Sequence, residues 1–225
     1  MDFFDLVNKR RSVRKFSNEK VPEEVIKKSL KAAVLAANSS NLQPWEFYWV
    51  KDSDKRKQLV NACFSQNAAK TAQDLVVAVS RIDTWKRNKD LIIQDYKNRD
   101  KFLPIVEKYY NRVVPVSYFY DFIGLVGIIK KIIFSFISII GLFKPVLRGP
   151  VFKSDLFEIV TKTTALACQN FMMALVAQGY DSCPMEGFDE KRVKKILNLN
   201  NSFEWKIKQL KRSHSRKSGP LNFPA

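Results

Sequence analysis

A domain mixing helices with a few short strands is what this chain predicts, on three observations. Stretches with apolar residues three and four apart recur along it, the strongest over residues 153–178. Between them stand two short runs rich in β-branched and aromatic residues, 46–50 and 74–79, each of strand length. A length of 225 residues, 46% hydrophobic and 27% charged, suffices for one packed core, or one core with an excursion.

Residues 2–10 read as a helix with Phe3, Phe4, Leu6 and Val7 on one face, ending in a basic cluster. After a turn at 17–22, Pro22 opens a second helix, with Glu23 and Glu24 in the first turn where the macrodipole favours carboxylates. Val25, Ile26, Leu30, Ala33, Val34 and Ala37 form its apolar stripe, and the run 38–41, all Asn and Ser, ends it because these side chains prefer local hydrogen bonds. Residues 43–45 lead into the strand 46–50. Residues 52–64 follow as a helix with Leu59, Val60 and Cys63 inward, and 74–79 reads as a buried strand. Residues 84–115 carry Trp85, Tyr96, Phe102, Tyr109 and Tyr110; they are expected to be helical and to form a lid or partner contact.

Residues 122–143 are overwhelmingly apolar, with Lys130 and Lys131 inside and Gly124, Gly127 and Gly141 as punctuation. Their longest charge-free part is 12 residues, and a membrane span needs about 20, so no span is expected here. Two readings remain: a flap buried against the fold or a second subunit, or an interfacial helix making weak contact with an acidic membrane. Within the helix 153–178 the predicted inward stripe is Ile159, Thr163, Leu166, Ala167, Asn170, Phe171, Ala174 and Leu175, with Gly179 as C-terminal cap. Residues 180–184 read as a strand running into a turn at Glu186-Gly187, and Asp189 as the cap of a helix over 190–197. Residues 204–210 alternate like a strand, but from 206 onward six Lys/Arg and no Asp/Glu suggest an atypical, poorly ordered basic tail.

The net charge of +17 attracts polyanions, acidic membranes and phosphorylated cofactors, or simply keeps the protein in solution. Specific nucleic-acid binding is not expected, because the aromatics do not interleave with the Lys/Arg clusters. Three cysteines without a CxxC pair, and one histidine (His214), argue against a zinc site and against Ser-His or Cys-His nucleophilic catalysis. They fit a reducing compartment, and the N-terminus lacks a secretory pattern, so a cytoplasmic location is expected.

Arg10, Arg11 and Arg14 around Ser12 are suited to a phosphate, because planar guanidinium donors match its oxygens two at a time. Further on stand Asn38-Ser39-Ser40-Asn41-Leu42-Gln43-Pro44-Trp45, then Gln66-Asn67-Ala68-Ala69-Lys70, then Cys183-Pro184-Met185-Glu186-Gly187-Phe188-Asp189. Together and in this order they resemble the FMN-dependent nitroreductase family, over residues 2–83 and 160–200. The resemblance implies an α+β fold, a central, mainly antiparallel sheet flanked by helices, in an intertwined homodimer with residues 153–178 near the interface. It implies one such domain over 1–205, with an apolar insertion at about 116–150 and the basic tail 206–225.

By the same resemblance, Arg10, Ser12 and Arg14, assisted by Arg11, would hold the FMN phosphate and the pyrimidine edge of the ring. Asn67 and Lys70 would contact the ribityl chain and the N1/O2 edge. Ser39, Ser40, Asn41 and Gln43 would approach from the other subunit. Pro184, Met185, Glu186 and Gly187 would line the N5 side, with Glu186 the candidate catalytic carboxylate, acting through water. The implied activity is an FMN-dependent oxidoreductase that takes hydride from NADH or NADPH and passes it to a nitroaromatic, quinone or similar flat small-molecule acceptor, by a ping-pong mechanism. No GxGxxG loop is then needed, and none is present. A C-terminal basic residue contacting the phosphate would be expected as well; Lys208, Lys211 and Arg212 are the candidates. Two other readings use the same residues: a non-catalytic flavin binder, and a basic peripheral membrane protein.

Overall fold

The computed structural model describes residues 2–98, 104–121 and 123–199. The predicted strand at 204–210, the tail 206–225, His214, Lys208, Lys211, Arg212, Phe102 and the first position of the apolar stretch lie outside the described residues.

Helix α1 (Phe3–Lys9) starts at Asp2, whose carboxylate accepts from Asp5 N at 2.8 Å while Asp5 accepts from Asp2 N at 3.4 Å. Such a reciprocal box satisfies two of the donors that a helix start leaves open. Helix α2 (Glu23–Val34) follows Pro22 as its cap and buries Ile26, Ser29 and Ala33. A short 3₁₀ turn, Ser39–Asn41, precedes strand β1 (Trp45–Val50). Helix α3 (Ser53–Ala62) is capped by the Asp52 carboxylate, and α4 (Asn67–Thr71) follows after a tight turn. Strand β2 (Leu75–Ser80) pairs antiparallel with β1, from Trp45 opposite Ser80 to Val50 opposite Leu75.

Among the described residues these two strands are the whole sheet, save one parallel bridge between Ser12 and Ser182. The strand expected over 180–184 is therefore a single bridged pair. Pro184 has no N–H to extend a ladder, and the chain turns away there.

Helix α5 (Trp85–Asn98), α6 (Pro104–Lys108), a π turn at Tyr109–Val113 and α7 (Val114–Tyr118) are helical as expected, and their inward residues join the core. Trp85, Tyr110, Val114 and Tyr118 are buried with Leu42 and Leu156 in the largest core cluster. A second cluster joins Val50 and Leu59 to Val193 and Leu197 of the C-terminal helix region, and a third places Ala36, Trp45 and Ala167 together. Helix α8 (Leu125–Ile140) lies outside these clusters, and α9 (Lys153–Ala177) contributes to the first and the third. Helix α10 (Glu190–Ile196) is capped by Asp189, which accepts from Arg192 N at 3.1 Å.

By length and composition α9 could cross a membrane, yet it is the core helix of this fold. It packs on α2 and β2: Gln178 Nε2 donates to the fully buried Ser29 Oγ at 2.9 Å, and Ser80 Oγ to Thr164 Oγ1 at 3.0 Å. Thr163, Ala167 and Leu175 of the predicted inward face are buried, but the face is wider on one side and loses Leu166 on the other. Leu156, Val160 and Thr164 are buried, whereas Leu166 is 52% exposed. Thr163 and Thr164 turn their hydroxyls back to Ile159 O and Val160 O, so their small side chains can face the core without unpaired polar atoms. The helix ends at Gly179, φ +84°, with Tyr180 N donating to Leu175 O at 3.0 Å, as the sequence predicts.

Past the end of β2, Arg81 is buried between two carboxylates. Its Nη1 reaches Glu46 Oε2 at 2.7 Å, and its Nε and Nη2 hold Asp83 at 2.8 and 2.6 Å. Burial works against the Asp83 carboxylate, but the Arg81 guanidinium outweighs it and holds the group below its ordinary range. Arg81 N also donates to Pro44 O at 2.9 Å, tying this ion cluster to the exit of the 38–43 turn.

Candidate functional site

Helix α1 ends at Arg10, and the chain then runs extended past the basic cluster. Val13 N donates to Ser182 O at 3.2 Å, which lays residues 10–14 beside the entry to the 183–187 segment. Three residues on, Phe16 N donates to Thr71 Oγ1 at 3.0 Å, and Thr71 Oγ1 donates to Asn67 O at 2.7 Å. The basic segment is thus anchored to the end of α4. From the start of α4, Gln66 Nε2 donates to Gly187 O at 2.7 Å. Three hydrogen bonds therefore close a ring of three segments, 10–16, 66–71 and 182–187, far apart in sequence.

Local backbone conformation delivers α4 into this ring. Phe64 and Ser65 have φ of +55° and +53°, in a region that costs a bulky side chain energy. Ser65 N donates to Val60 O and Gln66 N to Cys63 O, so the chain reverses within three residues of the end of α3. Asp189 N, donating to Ala62 O at 2.8 Å, holds the other side of the turn.

The ring gathers Arg10, Arg11, Arg14 and Lys70 on two of its three segments. Among the described residues Arg10, Arg11, Arg14 and Lys70 make no ion pair; Arg11 Nη1 donates only to Arg10 O, at 2.9 Å. Elsewhere on the surface Lys27, Lys51 and Lys162 each reach a glutamate within 2.8 Å. At the Ser12–Ser182 bridge, Ser182 Oγ is buried without a hydrogen-bond partner among the described residues, a condition a buried hydroxyl normally avoids. Unpaired guanidinium groups beside an orphaned hydroxyl suit a ligand with an anionic end and a polar chain. FMN is such a ligand, and the residues present fit it. Pro184, Glu186 and Gly187 are exposed along the third segment, and Met185 is half-buried.

Ser39, Ser40, Asn41 and Gln43 are placed elsewhere. Ser40 Oγ lies 2.6 Å from Tyr109 OH, Tyr110 OH donates to Ser40 O at 2.9 Å, and Asn88 Nδ2 to Leu42 O at 2.7 Å. The turn is thus tied to α5 and to the π turn before α7, not to the three-segment ring. Burial pushes the Tyr110 hydroxyl up to about 12, so it donates to Ser40 O at any physiological pH. Ser40, Asn41 and Gln43 all have positive φ, at 57°, 50° and 44°, and Asn38 Oδ1 accepts from Gln43 N at 2.7 Å. Three non-glycine residues held in that region within four positions mark a turn shaped for more than connection.

The sequence alone does not mark Ser182, Gln66 and Thr71 as contributors. Each lies at the edge of a motif, and Ser182 is a hydroxyl next to the Cys183-Pro184 pair, the one signal available. A separate cleft of about 350 Å³, lined by Asn61, Phe64, Ser65, Asp189 and Arg192 among others, contains none of the expected site residues.

The Nitroreductase family profile matches residues 7–121 and 152–208, more than half of the chain. MhqN of Bacillus subtilis, which carries an NAD(P)H-nitroreductase name, is 24% identical over 204 residues, covering 90% of this chain and 84% of that protein. The solved structure of ydfN from Bacillus subtilis, assigned as a nitroreductase, superimposes with TM-score 0.66 at 22% identity, covering 97% of this chain and 95% of its own. A protein of the same assignment from Exiguobacterium sibiricum, solved in complex with FMN, gives 0.63 at 21% identity over 89% and 82%. The chain belongs to the nitroreductase family.

Proposed function

We propose that the chain is an FMN-dependent oxidoreductase whose cofactor lies in the ring formed by residues 10–16, 66–71 and 182–187. The single observation that carries this reading is the junction itself: the segment bearing Arg10, Arg11 and Arg14, which make no ion pair among the described residues, is bridged at Ser12 to Ser182, whose buried hydroxyl has no hydrogen-bond partner among the described residues. The family membership and the FMN held by the Exiguobacterium relative support the same cofactor.

FMN, when bound, supplies the redox chemistry, accepting hydride from NADH or NADPH and returning it to a flat acceptor such as a nitroaromatic or quinone. The protein's own part is to bind, orient and stabilise. Arg10, Arg14 and Ser12, with Arg11 beside them, neutralise and hydrogen-bond the phosphate and the pyrimidine edge. Asn67 and Lys70 serve the ribityl chain and the N1/O2 edge, where a fixed cation favours the reduced, anionic state. Pro184, Met185 and Gly187 shape the N5 side. The exposed Glu186 carboxylate holds a water for proton delivery near the acceptor. One face used in turn by donor and acceptor gives ping-pong kinetics.

Ser39, Ser40, Asn41 and Gln43 complete the site from a second copy, in a homodimer. Their position away from the ring in one chain, and their strained turn, support that assignment. An unpartnered apolar surface supports the dimer as well: α1 buries no residue, Phe3 and Phe4 are 66% and 75% exposed, and α1 packs against α9, where Leu166 is also exposed.

Arg14→Ala tests the cofactor site. The side chain is exposed, so the fold is retained by circular dichroism, while FMN content after purification and NAD(P)H oxidation both fall at least tenfold. Unchanged flavin content in a folded Arg14→Ala protein overturns the assignment.

A further inference from the structure

Helix α8 presents an apolar face that nothing in the described chain covers. Its inward side is short and specific. Asp121 accepts from Leu125 N and Val126 N at 2.9 and 3.0 Å, starting the helix. Lys130 Nζ turns inward and donates to Phe119 O at 2.8 Å at the end of α7. Gly127 lies against the Phe152 ring so closely that a Cβ there would meet Cδ1 at 2.6 Å. These contacts clamp the first half of α8 to the body of the protein.

The outward side carries large apolar groups: Leu125, Ile128, Ile132, Phe136 and Ile139 are each more than half exposed, and Phe143 just beyond is 88% exposed. Two outward-facing polar residues interrupt it, Lys131 and Ser135. Ser135 Oγ donates to Lys131 O at 2.8 Å and Ser138 Oγ to Phe134 O at 2.7 Å, so both hydroxyls are satisfied within the helix and cost less to desolvate. Sixteen residues make a helix of about 24 Å, too short to span a bilayer but suited to lying in its interface.

Charge selects the occupant. Residues 122–151 contain four Lys/Arg and no Asp/Glu, in a chain of net charge +17. Lys131, Lys144 and Arg148 are exposed beside the apolar face. Two copies of this face brought together about a two-fold axis would oppose lysine to lysine with no carboxylate between them. The matched parts of the family profile stop at 121 and resume at 152, so a dimer interface common to the family is not built from this segment. An anionic lipid surface matches both features: headgroups for the cations and acyl chains for the isoleucines and phenylalanines.

We propose that α8 and the residues following it dock this protein onto an anionic lipid bilayer, with α8 lying in the plane of the interface. The test is flotation of the full chain with vesicles of phosphatidylcholine alone, and of phosphatidylcholine containing a minority of phosphatidylglycerol. It is repeated with the double variant Ile132→Gln, Phe136→Gln, which keeps every charge, including those of the basic residues after 205. The wild-type chain floats with the anionic vesicles and not with the neutral ones. The double variant, with unchanged circular dichroism and unchanged size in the absence of lipid, loses at least nine-tenths of that binding. Equal flotation of the variant would mean that charge alone acts, and no flotation of the wild type would mean that the face has another use. A fall in particle mass of the variant would mean that a second copy covers α8. Each of these three results overturns the proposal, and none depends on bound flavin.

Discussion

Replacing Arg81 by methionine keeps most of the side-chain volume but leaves Glu46 and Asp83 facing each other without a cation. The guanidinium is 9% exposed and makes three hydrogen bonds of 2.6–2.8 Å to the two carboxylates. Removing one partner of a buried ion pair costs about 3–5 kcal/mol. Both carboxylates are 22% exposed and can recruit water, which places the loss near the lower end, about 3 kcal/mol. For a domain of this size that corresponds to a fall in Tm of about 6–12 °C. The pH dependence follows from Asp83, whose carboxyl is held below its ordinary 3.8 in the folded state. Stability from such a group is fully present above the unfolded value and is lost as pH falls through the folded one. The deficit of Arg81→Met is therefore complete at neutral pH and shrinks below the unfolded value. Urea denaturation followed by circular dichroism, at neutral and at strongly acid pH, measures it. A variant within about 1 kcal/mol of wild type at neutral pH, or a deficit unchanged by acid, would refute the reasoning.

Two further substitutions probe other parts of the architecture. Gly179→Ala meets no atom within 4 Å but must adopt φ +84°, so it costs about 1–2 kcal/mol from backbone conformation alone, read as a lower urea midpoint at constant slope. Leu156→Ala, at a position 1% exposed in the largest core cluster, costs about 2–5 kcal/mol and is read in the same assay.

Elements whose signals are local were legible in the sequence. Pro22 with two glutamates after it set the start of α2, Asp189 the start of α10 and Gly179 the end of α9, because caps depend on a few neighbouring residues. The pairing partners of β1 and β2 were readable as apolar runs for the same reason. Features set by distant neighbours were not. On α9 the stripe was legible at Thr163, Ala167 and Leu175, but Thr164, which satisfies its own hydroxyl, is buried where hydrophobic periodicity pointed at Leu166. That Trp85 and Tyr110 of 84–115 are core residues was not legible, because their burial depends on Leu156 and Val160, brought in by α9 from the far end of the chain. In the site, the motifs were legible but their junction was not. The Gln66–Gly187 bond spans 121 residues and the Phe16–Thr71 bond 55, separations over which no periodicity carries information.

The central claim is that the ring of residues 10–16, 66–71 and 182–187 is a flavin site. The visible absorption spectrum of the purified chain, taken before and after addition of FMN and removal of the excess, tests it most directly. The account predicts a yellow protein, with flavin retained in proportion to chain and bleached by NADH or NADPH. A colourless, folded protein that retains no added FMN would contradict it.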